Sequence, residues 1–208
     1  MNRLLIFDLD DTLFETRSID FKQFDDAWKI IKWHFIHSEY KPEQIIEDLK
    51  DIPFDVVAKA YSFSNQLIEE IRSYFNTCRF TLNISVFDDY HWLQQLNGEK
   101  VIVTTGFTSF QHAKIDALGI RNEFPEIYID DPLDHHRKFK KGIFRELLKN
   151  KGVSPERVWV IGDNPESELR AGKEMGFHTI QRLVKGREKS PYSDFAVDSF
   201  DLLSSIIC

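Results

Sequence analysis

Glycine contributes only nine of 208 residues and does not occur before Gly98. A stretch that long without glycine has few means of making the tight positive-φ turns of hairpin-rich folds. Cysteine is nearly as scarce, with two residues, Cys78 and the terminal Cys208. Two distant cysteines exclude a disulfide framework and a cysteine-based zinc site. No apolar run reaches the length of a membrane span, so no membrane partner is expected. Cationic excess is missing as well, since the net charge is −7. That argues against an extended nucleic-acid footprint, which relies on Lys and Arg neutralising phosphates. The first strand begins at once, leaving no room for a signal peptide, and the expected location is cytoplasmic. Neither an internal repeat nor a low-complexity segment interrupts the chain.

What remains is the composition of a globular protein, 42% hydrophobic and 29% charged, with 18 Phe that promise an aromatic core. The length allows one full domain plus a small insert. Leu4 to Phe7 is a short apolar run, predicted as a strand buried on both faces. About seventy residues of helical pattern follow. Phe21, Phe24, Trp28, Ile31 and Phe35 recur in steps of three and four, predicting one long helix. Pro42 opens a second helix through Leu49 and Pro53 a third. Leu67, Ile68, Ile71, Phe75 and Cys78 stripe a fourth. Trp28, Trp33 and His34 are read as core or rim packing rather than a ligand wall.

From Val86 onward helices and strands alternate. Val86–Leu96 is predicted as a helix, 100–104 as a strand, 110–118 as a helix and 126–129 as a short strand. A helix over 139–149, stopped near Gly152, precedes a buried strand at 158–161. Pro165 opens a helix to Gly176, 178–181 is a strand, 196–197 is strand-like, and 201–207 is a helix. This order predicts an α/β fold with a Rossmann-like, doubly wound parallel sheet. A small all-α, four-helix cap is inserted after the first strand. The expected domains are a core of residues 1–15 and 84–208 and a cap of residues 16–83.

Chemistry collects at the predicted strand ends, where such sheets bind ligands. Asp8, Asp10 and Asp11 cluster directly after a buried strand, and buried acids need a cation, protons or strong donors. Strand alternation places Asp8 and Asp10 on one side and Asp11 elsewhere. A carboxylate pair there suits Mg²⁺, a hard cation that takes oxygen ligands. Asp163 supplies a further acid, Thr104 a hydroxyl and Lys138 an ammonium. Together these can handle a phosphoryl group. Asp8 and Asp163 hold the ion, and Asp8 attacks phosphorus. Lys138 keeps Asp8 ionised and binds a phosphate oxygen. Thr104 and the N–H groups of Thr105 and Gly106 donate to other oxygens. Asp10 protonates the leaving alkoxide and then deprotonates water.

Asp8-Leu9-Asp10-Asp11-Thr12-Leu13 resembles the first motif of the haloacid dehalogenase (HAD) superfamily, Asp-x-Asp-x-Thr. Val101–Thr104 resembles its second motif, Lys138 ahead of the 139–149 helix its third, and Ile161-Gly162-Asp163-Asn164 its fourth. The four stand in the family's order, and the helical stretch lies where larger caps are inserted. The resemblance implies a Rossmann-like core with a mobile helical cap, Mg²⁺ dependence and phosphoryl transfer through Asp8. It also implies that the backbone carbonyl of Asp10 is a metal ligand. The chain departs from the pattern in two places. Phe139 stands where many members have Pro, with Lys140 and Lys141 close behind the assigned lysine. Glu168 replaces the usual second Asp of motif four, either orienting a metal-bound water or facing solvent as a helix glutamate.

The predicted activity is a phosphatase acting on a small phosphorylated metabolite. A dehalogenase is the first competitor, but halide leaves without a proton, so Asp10 favours an ester. A phosphomutase would use the same residues. In a receiver domain the acidic pair and the phosphorylated Asp lie on different strands, and an inactive scaffold would not need the full residue set. His135, His136 and Arg137 are read as a solvated basic loop, as are Lys185, Arg187 and Lys189. The sequence leaves the substrate and the oligomeric state open.

Overall fold

The computed structural model describes residues 3–184 and 188–207. Lys185, Arg187 and Cys208 therefore lie outside the described residues. The core strands are β1 (Leu4–Phe7), β2 (Glu99–Thr105), β3 (Glu126–Asp130), β4 (Val158–Gly162), β5 (His178–Arg182) and β6 (Phe195–Val197). Helices α1 (Asp25–His34), α2 (Pro42–Asp48), α3 (Phe54–Ala60) and α4 (Asn65–Thr77) lie between β1 and β2. Helices α5 (Thr108–Ala117), α6 (Phe139–Lys151), α7 (Arg170–Glu174) and α8 (Leu203–Ile206) follow.

All neighbouring strands are parallel, in the order β3-β2-β1-β4-β5-β6. The chain winds outward from β1 in both directions, so the strand order reverses beside β1, the place where open sheets bind ligands. Phe7 pairs with Ile102 on one side and Ile161 on the other. Asp8, Thr104 and Asp163 thus fall one or two residues beyond a single row of the sheet.

The faces of β1 alternate as its burial demands. Leu4 and Ile6 pack with Ile143, Phe144 and Leu147 of α6, while Leu5 and Phe7 join the cluster containing Ile115 of α5. That second cluster continues without a break into the helices between β1 and β2, through Phe24, Ile31, Phe54, Ile71 and Phe75. Phe75 stacks on Phe107 at 3.7 Å between ring centroids, and Phe24 meets Phe110 edge-on at 5.1 Å. Such pairs contribute about 0.5–1.5 kcal/mol each beyond their burial. The phenylalanines foreseen as core therefore join the helical insertion to the sheet.

Four helices differ from the sequence-based expectation, and the one over 201–207 is a 3₁₀ turn, Phe200–Leu202, followed by α8. The stripe from Phe21 to Phe35 is split into a 3₁₀ turn, Phe21–Phe24, and α1. Asp20 ends the preceding chain by accepting from the Lys22 N–H, and the tight turn shifts the helical phase. Val86–Leu96 reduces to a 3₁₀ segment at Tyr90–Gln95. Pro165–Gly176 is a wide π turn over Pro165–Leu169, with Ser167 off the helical path, followed by the short α7. By contrast, α4 matches its stripe, with Leu67, Ile71 and Phe75 buried and the Ser64 hydroxyl capping the Leu67 N–H. Among the described residues no helix is long and apolar enough to cross a membrane.

Candidate active site

The carboxyl ends of β1, β2 and β4 open into a cleft of about 660 Å³ walled by both the core and the helical insertion. Asp8, Asp10, Thr104, Thr105, Gly106 and Asp163 all line it. Lys138 is not among the lining residues.

Asp8 is buried, and its N–H still donates to the Ile161 carbonyl at 2.9 Å, prolonging the pairing of β1 with β4. One oxygen each from Asp8, Asp163 and Glu168 lie within 4.8 Å of one another, all on buried residues. Glu168, whose orientation the sequence left open, points inward and is almost wholly buried. Its Oε2 accepts from Lys140 Nζ at 2.6 Å and its Oε1 from the Asn164 N–H at 2.7 Å. Gly162 makes this approach possible, because a Cβ there would collide with the Glu168 carboxylate.

The lysine that the structure brings to Asp8 is Lys140, not Lys138. Lys140 Nζ stands 2.9 Å from Asp8 Oδ1 and 2.6 Å from Glu168, all three side chains being at most 8% exposed. Lys138 lies on the solvent side, paired with Glu146 at 2.6 Å. Lys138 is the N-cap residue ahead of α6, whereas Lys140 lies on the buried face of the helix. The signal was present in the sequence. Lys140, Ile143, Phe144 and Leu147 are spaced by three, one and three, and they form the buried stripe of α6. The helix begins at Phe139 with φ +56°, a conformation costing a bulky residue about 1–3 kcal/mol and typical of functional sites.

Burial pushes the Asp8 carboxyl up to about 7, against the pull of Lys140. Burial also opposes the charge on Lys140, but Asp8 and Glu168 outweigh it and hold the ammonium above its usual range. Three buried carboxylates around one lysine leave a surplus of negative charge. Crowded hard-oxygen donors with that surplus fit a small divalent cation.

Asp10 does not share a side with Asp8. Regular strand ends at Phe7 and Asp11 has φ +52°, so alternation fails where the argument needed it. Asp10 turns instead to α5, taking Lys114 Nζ on Oδ1 at 2.6 Å and Gln111 Nε2 on Oδ2 at 2.9 Å. Gln111 also lies 2.6 Å from the Thr104 hydroxyl, joining the ends of β1 and β2. Both α5 residues are buried, and Lys114 sits over the Phe110 ring at 4.4 Å. The sequence reading missed them, although polar residues at 111 and 114 share the buried face with Ile115. Gly106 has φ +153° and no room for a Cβ beside Gln111, but its N–H is turned to the Asp130 carbonyl rather than held free for a ligand. Thr105 Oγ1 donates to Asp130. Asp11 instead accepts from the Thr16 N–H and caps the exit toward the helices. The Thr12 hydroxyl is buried without a hydrogen-bond partner.

Arg137 is another correction. His135 and His136 are exposed as expected, but Arg137 is largely buried. It grips Asp130 through two nitrogens at 2.8 Å and reaches Asp55 of α3 at 2.6 Å. Trp28 lines the cleft and donates to the Phe21 carbonyl, Trp33 is exposed, and His34 meets Glu70.

Comparisons with known proteins agree with this architecture. Residues 5–181 match the family model described as haloacid dehalogenase-like hydrolase. A glyceraldehyde 3-phosphate phosphatase from Methanopyrus kandleri is 23% identical over 97% of this chain and 93% of its own. The pyrimidine 5′-nucleotidase YjjG of Escherichia coli is 28% identical over 54% of this chain and 51% of its own. Among solved structures, a haloacid dehalogenase-like hydrolase from Streptococcus pneumoniae superposes with a TM-score of 0.71 at 18% identity, covering 100% of this chain and 99% of that one. The magnesium-bound HAD-hydrolase YfnB from Bacillus subtilis gives 0.64 at 17% identity, covering 99% and 98%. Motif segments at the ends of the parallel strands β1, β2 and β4 and at the start of α6, a helical insertion after the first strand and a family match over most of the chain make it a member of the haloacid dehalogenase-like hydrolases.

Proposed function

We propose that the protein is a Mg²⁺-dependent phosphatase that hydrolyses a small phosphorylated metabolite through an aspartyl-phosphate on Asp8. The observation that carries this reading is the buried Asp8, set against Lys140 and two further carboxylates at the floor of an open cleft. Of the two relatives described above, one is by name a phosphatase and the other a 5′-nucleotidase.

Asp8, Asp163 and Glu168 would hold the ion, with the Asp10 carbonyl as the further ligand that the family resemblance implies. A Mg²⁺ held there would supply positive charge that offsets the repulsion of the phosphoryl group by the attacking carboxylate. Lys140 favours the ionised form of Asp8 against its burial and holds it in place. An Asp8 oxygen attacks phosphorus and the bond from phosphorus to the ester oxygen breaks. Asp10, which takes up a proton on leaving its pairs with Lys114 and Gln111, passes that proton to the departing alkoxide. Water then attacks the aspartyl-phosphate, Asp10 takes the proton back, and phosphate leaves with Asp8 restored. A halide would need no such acid, so the anchored Asp10 favours ester substrates. The test is phosphate release from a panel of phosphorylated metabolites with Mg²⁺ present. Turnover by the wild type and none by Asp8→Asn is expected; equal release by both proteins would refute the role of Asp8.

A further inference from the structure

Every lysine and arginine lining the cleft, among the described residues, is already engaged by a carboxylate. Lys140 meets Asp8 and Glu168, Lys114 meets Asp10, and Arg137 meets Asp55 and Asp130. Lys50 pairs with Glu47, Lys141 with Glu174, and Arg170 with Glu166 and Glu174. A substrate bearing a second anionic group would have to break one of these pairs to be recognised. The rest of the wall is apolar. Trp28, Phe54 and Phe107 line the interior. Three of the large hydrophobic residues most open to solvent in the molecule also line the cleft, Ile52 at 40% exposure, Val56 at 51% and Phe139 at 58%. Single exposed apolar residues are ordinary, but three on the walls of one cleft, two from the insertion and one from the core, mark a ligand surface. Phe139 is the most telling of them. Its ring is held out by a positive-φ backbone, with the Arg137 guanidinium 4.5 Å from its centroid.

Resting on the phosphatase reading, we propose that the substrate is a phosphomonoester whose body beyond the phosphate is uncharged and apolar, with a flat or aromatic group that Ile52, Val56 and Phe139 cover. The volume of the cleft is of the size that holds a ring-bearing small molecule rather than a bare short-chain ester. Phe139 is then a specificity-determining residue that acts on the leaving-group body and not on phosphorus.

The experiment compares 2-phenylethyl phosphate, glycerol 3-phosphate and phosphoglycolate, all esters of primary alcohols, with Mg²⁺ and the full chain. The expected kcat/KM for the phenylethyl ester is about 10- to 100-fold above the other two, the range that burying an aromatic body can supply. Phe139→Ala and, independently, Val56→Ser each reduce that preference by about 3- to 10-fold. Calorimetry supplies a readout free of turnover, in which 2-phenylethylphosphonate binds the Mg²⁺-loaded protein more tightly than carboxymethylphosphonate. Equal hydrolysis of the three esters, a preference for phosphoglycolate, or the reverse order of phosphonate binding overturns the apolar-body assignment and leaves the phosphatase standing. Failure to hydrolyse any of the esters, together with no binding of either phosphonate, overturns both.

Discussion

The floor and the roof of the cleft are built on opposite principles. The floor concentrates charge: Asp8, Asp163, Glu168 and Lys140 on the α6 side of the sheet, with Asp10, Lys114 and Gln111 on the α5 side. Asp8 and Asp163 issue from strand ends whose register is fixed by the parallel ladder, and Lys140, Lys114 and Gln111 reach the floor from α6 and α5. The roof concentrates rings and aliphatic carbon, from Phe21 and Trp28 to Phe54 and Phe75, carried by helices with no ladder to hold them. Arg137 spans the two, bound to Asp130 at the end of β3 and to Asp55 on α3. The contrast teaches where to look for each property: reaction type in the floor, choice of substrate in the roof.

The sharpest way to break this division is to exchange the two lysines of the 138–140 segment. Lys140→Met should lower kcat/KM by at least about 10³-fold and destabilise the fold by about 3–5 kcal/mol, since it strands buried carboxylates. Lys138→Met should leave both within experimental scatter, because its pair with Glu146 is exposed. Steady-state kinetics and urea melts of the two variants decide the assignment. A smaller loss, about 10²-fold in kcat, is expected for Lys114→Met, which frees the Asp10 carboxyl from its anchor. The loss should be greater for alkyl than for aryl esters, and an equal loss on both would detach Lys114 from leaving-group protonation.

Gly162→Ala sharpens the floor further. The added methyl displaces Glu168, and the Mg²⁺ concentration for half-maximal activity should rise about 10-fold, with substrate KM little altered. A magnesium titration of the variant reads this directly, and an unchanged midpoint would remove Glu168 from the metal site.

A pH slope tests the burial of the same floor. Burial raises Asp8 from 3.8 to about 7, so the metal-free fold retains a proton that the unfolded chain releases. The contribution is present below about pH 4, is lost as pH rises toward about 7 and is flat above. Chelated wild type should therefore lose more thermal stability than Asp8→Asn across that interval. Parallel Tm curves for the two proteins would show that Asp8 carries no such penalty.

Much of the floor was legible in the sequence because strand ends are close to one-dimensional objects. An apolar run followed by acids, a hydroxyl or a Gly-Asp pair places those groups at the sheet edge with little further information. Reading failed where the chain leaves the strand. Asp10 lies beyond the last paired residue of β1, so strand alternation had nothing to act on. Lys138 was chosen by motif position, whereas helical phase, shared with Ile143, Phe144 and Leu147, selects Lys140. Arg137 passed for a solvated charge because Asp130 and Asp55 reach it only through the fold. The roof was legible as helices and as aromatic packing. Which rings face the cleft depends on how α1, α3 and α4 lean on Phe107 and Phe110, and no periodicity in those helices encodes it.

The central claim is that Asp8 carries the phosphoryl group, and it can be caught there. Mg²⁺-loaded protein mixed with an aryl phosphate, acid-quenched within one turnover and digested should yield the peptide containing Asp8 with one added phosphoryl group, borne by the carboxylate and removed by hydroxylamine. Turnover that proceeds with the phosphoryl group on another residue, or on none at any quench time, would contradict the account.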